Sequence, residues 1–375
     1  MSQINTNAIL DASGGTTTSI NGYTPTASNM AGRNRIINGG MVFDQRNAGA
    51  AVTPSGGNYT LDRWMFELSQ TSKVSCQQNA SSVTPPVGFS NYMGITSLSA
   101  YTSLSTDYFW VNQRIEGFNT SDLMWGTASA KAITLSFWVR SSLTGTFSGA
   151  LSNGSSNRCY PFSFVINSAN TWEQKTIIVA GDTTGTWSTD NSAGIKIHIN
   201  LGTGSSRQGT ANTWAATDYR GGVTGSVSLV GTSGATFYIT GVQLEAGSVA
   251  TPFEHRQYVQ ELALCQRYFE KSFEIHTPPT NGPNTTSFFT AAGLFFTTAS
   301  NNNTWRSSHR FTVPKRATPA MTTFGNSQGY WYSHVTGWAA NNRSVTPDST
   351  GFRPRQQASG SVIDVHGHWT ADAEL

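Results

Sequence analysis

The feature that most constrains this chain is strict alternation. In "ITLSFWVR" the residues Ile133, Leu135, Phe137 and Val139 alternate with Thr134, Ser136, Trp138 and Arg140. "GIKIHINLG" repeats the pattern, with Ile195, Ile197, Ile199 and Leu201 opposite Lys196, His198 and Asn200. A period of two sends successive side chains to opposite faces of a strand, so each stretch predicts a strand with one buried face. "DRWMFEL", "DYFWVNQRI", "KTIIVAG", "VSLVG" and "TFYITGVQL" supply further strands between Gly-, Asn- and Ser-rich turns. About eight strands in about 220 residues, with no helical pattern between them, predict an all-β, two-sheet sandwich of the jelly-roll kind.

Composition agrees. Only 11% of the residues are charged, against about 25% in soluble domains. Aromatics also stand at 11% and glycines number 37, which suits short strands, many turns and a surface solvated by hydroxyls and amides. A net charge of +3 is too small and too scattered for a nucleic-acid surface. No basic-then-apolar leader opens the sequence and no run of about 18 apolar residues occurs, so neither a signal peptide nor membrane insertion is expected. Cys76, Cys159 and Cys265 are far apart, odd in number and without metal spacing. They read as buried or idle thiols of a chain made in a reducing cytoplasm. A hydroxyl-rich surface without a secretion signal fits a virion protein, synthesised in the host cytoplasm and released by lysis.

Four segments are expected. Residues 1–34 are polar, with weak apolar points at Ile9, Leu10, Ile20 and Tyr23, and read either as a disordered tail or as an arm ordered against a partner. Residues 35–256 form the sandwich. Residues 257–272 read as one connecting helix, because Tyr258, Leu262, Cys265 and Phe269 fall on a single stripe. Residues 273–375 return to strands and predict a smaller C-terminal β domain. Its last segment, "IDVHGHWTADAEL", alternates with Ile363, Val365, Trp369, Ala371, Ala373 and Leu375 on one face, the pattern of a strand pinned in a sheet and shared with other copies.

The phrases "NRIINGGMVFDQRNAG", "YTLDRW", "ITLSFWVRSS" and "VQLEAGSVATPFEHRQYVQELALCQRYFEK" occur in this order. Together they resemble a family of bacteriophage tail-fibre and related virion proteins, in which a carbohydrate-binding-module-like jelly roll closes on such a phrase. "HWTADAEL" also resembles the C-termini of such fibres. The resemblance covers residues 34–272 well, the last strand moderately and 273–360 poorly. It implies a homotrimeric fibre or receptor-binding protein, joined to other virion proteins through its N-terminal arm and facing a host-surface polysaccharide with its distal tip. Members of the family also sit on baseplates and heads, so a non-adhesive decoration subunit is the alternative. From the residues themselves, Asp62 and Arg63 beside Trp64 are expected to pair, and Glu245, Glu254 and Arg256 to form a charge network at the closure of the sandwich.

An enzyme is not expected. Glycoside hydrolysis needs two carboxylates about 5–10 Å apart across a cleft. Only Asp182 near Trp187 and Asp218 beside Tyr219 stand out, and lone carboxylates more often serve turns. A polysaccharide depolymerase is therefore the last of the three readings. Sugar binding needs aromatic faces ringed by hydrogen-bonding groups. The densest such stretch is "GYWYSHVTGWAANNR", with candidates Tyr330, Trp331, Tyr332, His334, Trp338, Asn341, Asn342 and Arg343. A weaker cluster is Trp214, Asp218, Tyr219 and Arg220. Core and inter-chain packing is the competing reading of both. His366 and His368 share one face of a strand, and three copies about an axis would offer six nitrogens to a transition metal; a solvent-exposed strand explains the pair equally well. No cofactor is expected. The module likeness leaves room for a structural Ca2+, although no ligand run in the sequence identifies it.

Overall fold

The computed structural model describes residues 32–282, 294–296, 305–306, 308–325, 331–333, 337–339, 343–356 and 365–375. Ile9, Leu10, Ile20 and Tyr23 lie outside the described residues. The first body holds strands β1 (Asn58–Tyr59), β2 (Met65–Leu68), β3 (Val74–Gln78), β4 (Met93–Ser97), β5 (Phe109–Glu116) and β6 (Ile133–Ser141). It continues with β7 (Gly145–Asn153), β8 (Cys159–Ile166), β9 (Glu173–Val179), β10 (Ala193–Asn200) and β11 (Thr236–Ala246). They form a six-stranded sheet in the order β1-β2-β5-β10-β7-β8 and a five-stranded sheet in the order β3-β4-β11-β6-β9. Every pairing in both sheets is antiparallel. This is an all-β jelly-roll sandwich.

The alternation builds the core. Ile133, Leu135, Phe137 and Val139 of β6 and Ile195, Ile197 and Ile199 of β10 join one apolar cluster with Trp64, Phe109, Phe147, Phe162 and Phe237. Each fully buried side chain of this size contributes about 1.5–3 kcal/mol. The opposite face of β10 departs from expectation. Lys196, His198 and Asn200 are 8%, 0% and 2% exposed, because residues 203–228 fold back over the outside of the six-stranded sheet. Asn200 donates to the hydroxyls of Ser148 and Ser226 at 3.1 Å each, and the Val227 amide donates to the Thr146 carbonyl.

The connecting helix, α1 (Tyr258–Gln266), is half the expected length. The chain then enters strand β12 (Phe269–Lys271), which pairs with the last strand through Phe269↔Asp372, Glu270↔Ala371 and Lys271↔Thr370. Phe269, Glu270 and Lys271 are all buried. Glu270 takes the Lys315 ammonium at 2.5 Å, and Lys271 donates to the carbonyls of Gln45, Ile275 and Thr277. Pairing with a strand satisfies this buried backbone and outweighs the helical stripe.

The C-terminal part adds β13 (Leu294–Phe296), β14 (Trp305–Arg306), β15 (His309–Arg310), β16 (Ala320–Phe324) and β17 (Trp331–Ser333). It ends with β18 (Gly337–Ala339), β19 (Arg343–Pro347), β20 (Gly351–Gln356) and β21 (Val365–Asp372). Strand β21 is the hub, pairing with β12, β13, β16 and β17 of its own chain. A second apolar core gathers Phe311, Trp331, Phe352, Trp369 and Ala371. A third, of Ile37, Phe43, Cys265 and Tyr268, seats the helix on the sandwich.

Charges stitch the two parts together. Arg63 pairs with Glu374 and lies over the Tyr268 ring at 3.4 Å. Arg46 binds Asp372 at 2.9 Å, and Arg267 holds Glu116 through two bonds of 2.7 and 2.8 Å. The expected Asp62–Arg63 pair does not form. Arg63 adopts a left-handed backbone (φ 72°) that sends the neighbouring side chains to different partners, and Asp62 instead accepts from Gln45 at 2.6 Å. The closure network forms around Arg256, which reaches Glu254 at 3.5 Å and Glu261 at 3.1 Å. Glu254 also accepts the backbone amides of Gly32, Arg33 and Asn34, while Glu245 accepts from Thr251 and from Gln243, whose Oε1 in turn accepts the Glu254 amide.

Candidate functional site

Two connections meet at one end of the sandwich: residues 117–132, from β5 to β6, and residues 180–192, from β9 to β10. Glycine permits the approach. Gly126 has φ 85° and a Cβ there would lie 2.8 Å from the Gly185 carbonyl oxygen, while the Gly126 amide donates to the Asp182 carbonyl at 2.7 Å. The loops carry Trp125 and Trp187, whose rings meet edge to face at 4.7 Å. Trp214 completes the group, 5.3 Å from Trp125 and 5.5 Å from Trp187. Each indole N–H is tied to a backbone carbonyl: Trp125 to Lys131, Trp187 to Thr184 and Trp214 to Ala180. The rings are therefore fixed before any ligand arrives.

Beside this triad lies a cavity of about 300 Å3. It is lined by Trp125, Trp187, Met124 and Ile195 together with the hydroxyl-bearing Thr120, Ser121, Thr127, Ser129, Ser188 and Thr189. The hydroxyls of Thr120, Ser121 and Thr127 donate to backbone carbonyls and can still accept. Met124 stands at φ 54°, a left-handed conformation uncommon for a non-glycine residue, and is 40% exposed. None of the lining side chains is titratable. The arrangement offers flat apolar faces surrounded by neutral donors and acceptors, the chemistry that grips the C–H face and hydroxyls of an uncharged sugar ring. At this size it is at the small end of ligand pockets, ~300–1,000 Å3.

The sequence candidates fall in different places. Trp214 belongs to the triad. Asp218 does not: it bridges Arg207 and Arg220 over the outer face of the six-stranded sheet, where Arg220 covers the Trp110 ring at 4.9 Å. Burial works against its charge, yet Arg220 and Arg207 prevail and hold the Asp218 carboxyl below its ordinary range. Tyr219 is half-buried on the same loop, where a Cβ at Gly209 would meet its ring at 2.4 Å. Asp182, close in sequence to Trp187, is buried and committed to Arg158 through bonds of 2.8 and 2.6 Å, and it also accepts the Thr184 amide.

In the C-terminal cluster, Trp331 is fully buried against Gly367 and in the core with Trp369. Tyr332 and Trp338 sit opposite each other in the β17–β18 pairing, and Arg343 opens β19. Tyr330, His334, Asn341 and Asn342 lie outside the described residues. His366 is partly exposed, whereas His368 is 1% exposed, stacks on Phe273 at 4.2 Å and shares a 2.9 Å hydrogen bond with the Ser272 hydroxyl. Among the described residues no group of three or more His, Cys, Asp or Glu side chains is placed to hold a metal ion. No helix among them is long and apolar enough to cross a membrane.

Trp125 escaped the sequence reading altogether. A usable signal exists: tryptophan in "LMWGTAS" and "TGTWST" stands inside Gly-, Ser- and Thr-rich turns, where no strand alternation places it in a core.

No protein-family model and no curated protein matches the chain. Solved structures with similarity include the enzymatically active domain of tailspike protein 4 from bacteriophage CBA120, at 13% identity and TM-score 0.33, covering 57% of this chain and 21% of that one. The carbohydrate-binding module TmCBM61, solved with β-1,4-galactotriose, shows 12% identity and TM-score 0.31 over 57% of this chain and 99% of the module. A family 11 carbohydrate-binding module from Clostridium thermocellum, solved with a mixed-linked tetrasaccharide, shows 14% identity and TM-score 0.26 over 55% of this chain and 98% of the module. These likenesses concern the fold.

Proposed function

We propose that this chain is a non-enzymatic virion adhesin, a homotrimeric fibre subunit whose sandwich holds an uncharged sugar of a host-surface polysaccharide. The observation that carries the glycan reading is the preset tryptophan pocket: Trp125 and Trp187 flank a cavity of about 300 Å3 whose lining includes six hydroxyl-bearing residues. The virion and trimer parts rest on the sequence resemblance stated above. Asp182 and Asp218 are both committed to arginines, which favours binding over hydrolysis. A single small pocket of this kind binds weakly, and three copies on one fibre compensate through effective concentration.

The burial of Trp331 favours the alternative for the C-terminal part, a packing role within a decoration subunit. The two readings separate by experiment. The full chain is screened against neutral host-surface oligosaccharides by calorimetry, and its mass is measured in solution. Saturable binding that Trp187→Ala abolishes, on a trimer, supports the adhesin. A monomer that binds none of them would sink it.

A further inference from the structure

A second cavity, of about 170 Å3, lies where residues 32–34 join the sandwich. Glu254 accepts the backbone amides of Gly32 and Asn34 at 2.8 Å each, and the Arg33 guanidinium donates to the Pro252 carbonyl at 3.2 Å. The chain is thereby fastened to the cavity itself, because Asn34 and Glu254 are part of its lining. None of the residues around the tryptophan cavity takes part.

The lining is rich in rings. Phe89 and Phe253 meet edge to face at 5.0 Å, His255 lies 4.9 Å from Phe253, and Phe43 lies 4.8 Å from Tyr258. The charges in the lining are spent on one another and on the backbone. Arg256 pairs with Glu254 and Glu261 and donates to the Ile36 and Asn34 carbonyls, and Glu261 also accepts the Asn38 amide. What remains for an occupant is ring surface. The cavity is open, since Gly88, Ser90 and His255 are exposed and Tyr258 is 50% exposed. Val87 and Val259, next in sequence to lining residues, are 100% and 73% exposed. Exposed apolar side chains beside an aromatic cavity mark an interaction site.

The volume suits one large side chain, not a helix or a strand. Thirty-one residues precede Gly32, and Tyr23 is the sole aromatic among them. Tyr23 stands nine positions before Gly32, a tether of at most about 30 Å, long enough to fold back onto a cavity that starts at Asn34. So short a tether holds the ring at an effective concentration on the order of millimolar. Ring against ring also adds to what burial alone gives, which favours Tyr23 over Ile20. We propose that Tyr23 docks in this cavity of its own chain, seating the N-terminal arm against Phe89, Phe253 and Tyr258. The arm is then closed on the sandwich in the free protein, and a partner that takes residues 1–31 must first draw Tyr23 out. This holds whether or not the tryptophan pocket binds a sugar.

The test is hydrogen exchange, read by mass spectrometry on the full chain, of the wild type, Tyr23→Ala and Gly40→Leu. A Cβ at Gly40 would stand 3.7 Å from Val42 and 3.8 Å from Phe253, ordinary contact distances, so leucine there fills the cavity from a position with room for it. The expected result is that amides of residues 87–90 and 255–261 exchange at least tenfold faster in Tyr23→Ala than in the wild type. Residues 20–26 are expected to exchange faster in Gly40→Leu. Equal exchange of β6 and β10 in all three chains shows that the sandwich is intact; if Gly40→Leu fails this control, Tyr23→Ala alone decides. Unchanged exchange of residues 87–90 and 255–261 in Tyr23→Ala overturns the proposal. The two variants are also produced together, one offering an empty cavity and the other a free Tyr23. Protection restored in that mixture would place the arm of one copy in the cavity of another, and would overturn docking within one chain.

Discussion

The molecule holds two tryptophan clusters of opposite character. Trp331 and Trp369 are closed in a core with Phe311 and Phe352, at 0% and 2% exposure. Trp125, Trp187 and Trp214 are also packed against one another, but at the meeting of two loops, with an open cavity at their side. The difference lies in the backbone that carries them. Trp331 and Trp369 stand on paired strands, which present side chains to a neighbouring layer. Trp125 and Trp187 stand on turns, whose close approach at Gly126 leaves space that their neighbours do not fill. Aromatic density along the chain therefore does not identify a binding surface; the kind of element carrying the aromatics does.

This comparison can be broken most directly by truncation. Trp331→Ala should destabilise the chain by about 3–5 kcal/mol and leave neutral-glycan affinity nearly unchanged. Trp187→Ala should cost only about 1–2 kcal/mol, in proportion to its partial burial, and lose at least tenfold in affinity. Denaturant melts and calorimetry on the two variants decide it; equal stability losses would erase the distinction.

The next largest effect concerns the charges that join the two parts. Arg63 and Glu374 have side chains 1% and 4% exposed. Glu374→Ala strands a buried guanidinium, so a loss of about 3 kcal/mol is expected, with the C-terminal sheet opening first in hydrogen exchange. Uniform exchange across both parts would argue that the joint is not the weak point.

A smaller effect should follow pH. Burial holds Lys196 and Lys271 down to about 8, whereas an unfolded lysine titrates near 10.4. Between about pH 8 and 10 these two lysines make stability rise with pH. Burial also raises the thiols of Cys76, Cys159 and Cys265, and unfolded thiols lose their protons from about pH 8.5. The two contributions oppose each other, so the wild type should show no net gain in this window. Above about pH 10 stability should fall. Burial raises the hydroxyls of Tyr59 and Tyr268, and the unfolded tyrosines lose their protons first. Urea midpoints from pH 7 to 11 would reveal the fall, and Lys196→Met should make it begin at lower pH, because it removes one of the opposing lysines. The smallest effect is expected for Arg35 and Asp122, a pair with Asp122 47% exposed. Asp122→Ala should cost under about 1 kcal/mol, and a cost comparable to that of Glu374→Ala would show that burial is not what separates the two pairs.

Much of the fold was legible because strand alternation is a local property. Ile133 to Val139 and Ile195 to Ile199 lie in the core as their spacing demands. The polar halves of the same strands were misleading. Lys196, His198 and Asn200 alternate as an exposed face would, and burial came from residues 203–228, which carry no alternation of their own. In β21, His368, Thr370 and Trp369 are all buried, because strands pair with it on both edges and other groups pack on both faces. Trp214 was within reach of a reading that looked for aromatics near hydrogen-bonding groups, but Trp125 and Trp187 were not joined to it, since about 90 residues of chain separate Trp125 from Trp214.

Taken by itself, then, the sequence determined the strand class, the core faces of those strands and the two-sheet sandwich, since each follows from interactions between residues two apart. The tertiary structure decided which tryptophans flank a cavity, which charges find partners and where the helix stops. Those depend on contacts such as Arg63 with Glu374 or Trp125 with Trp214. Such contacts join parts of the chain that no local periodicity relates, and they form only once the loops and the last strand have closed on the sandwich.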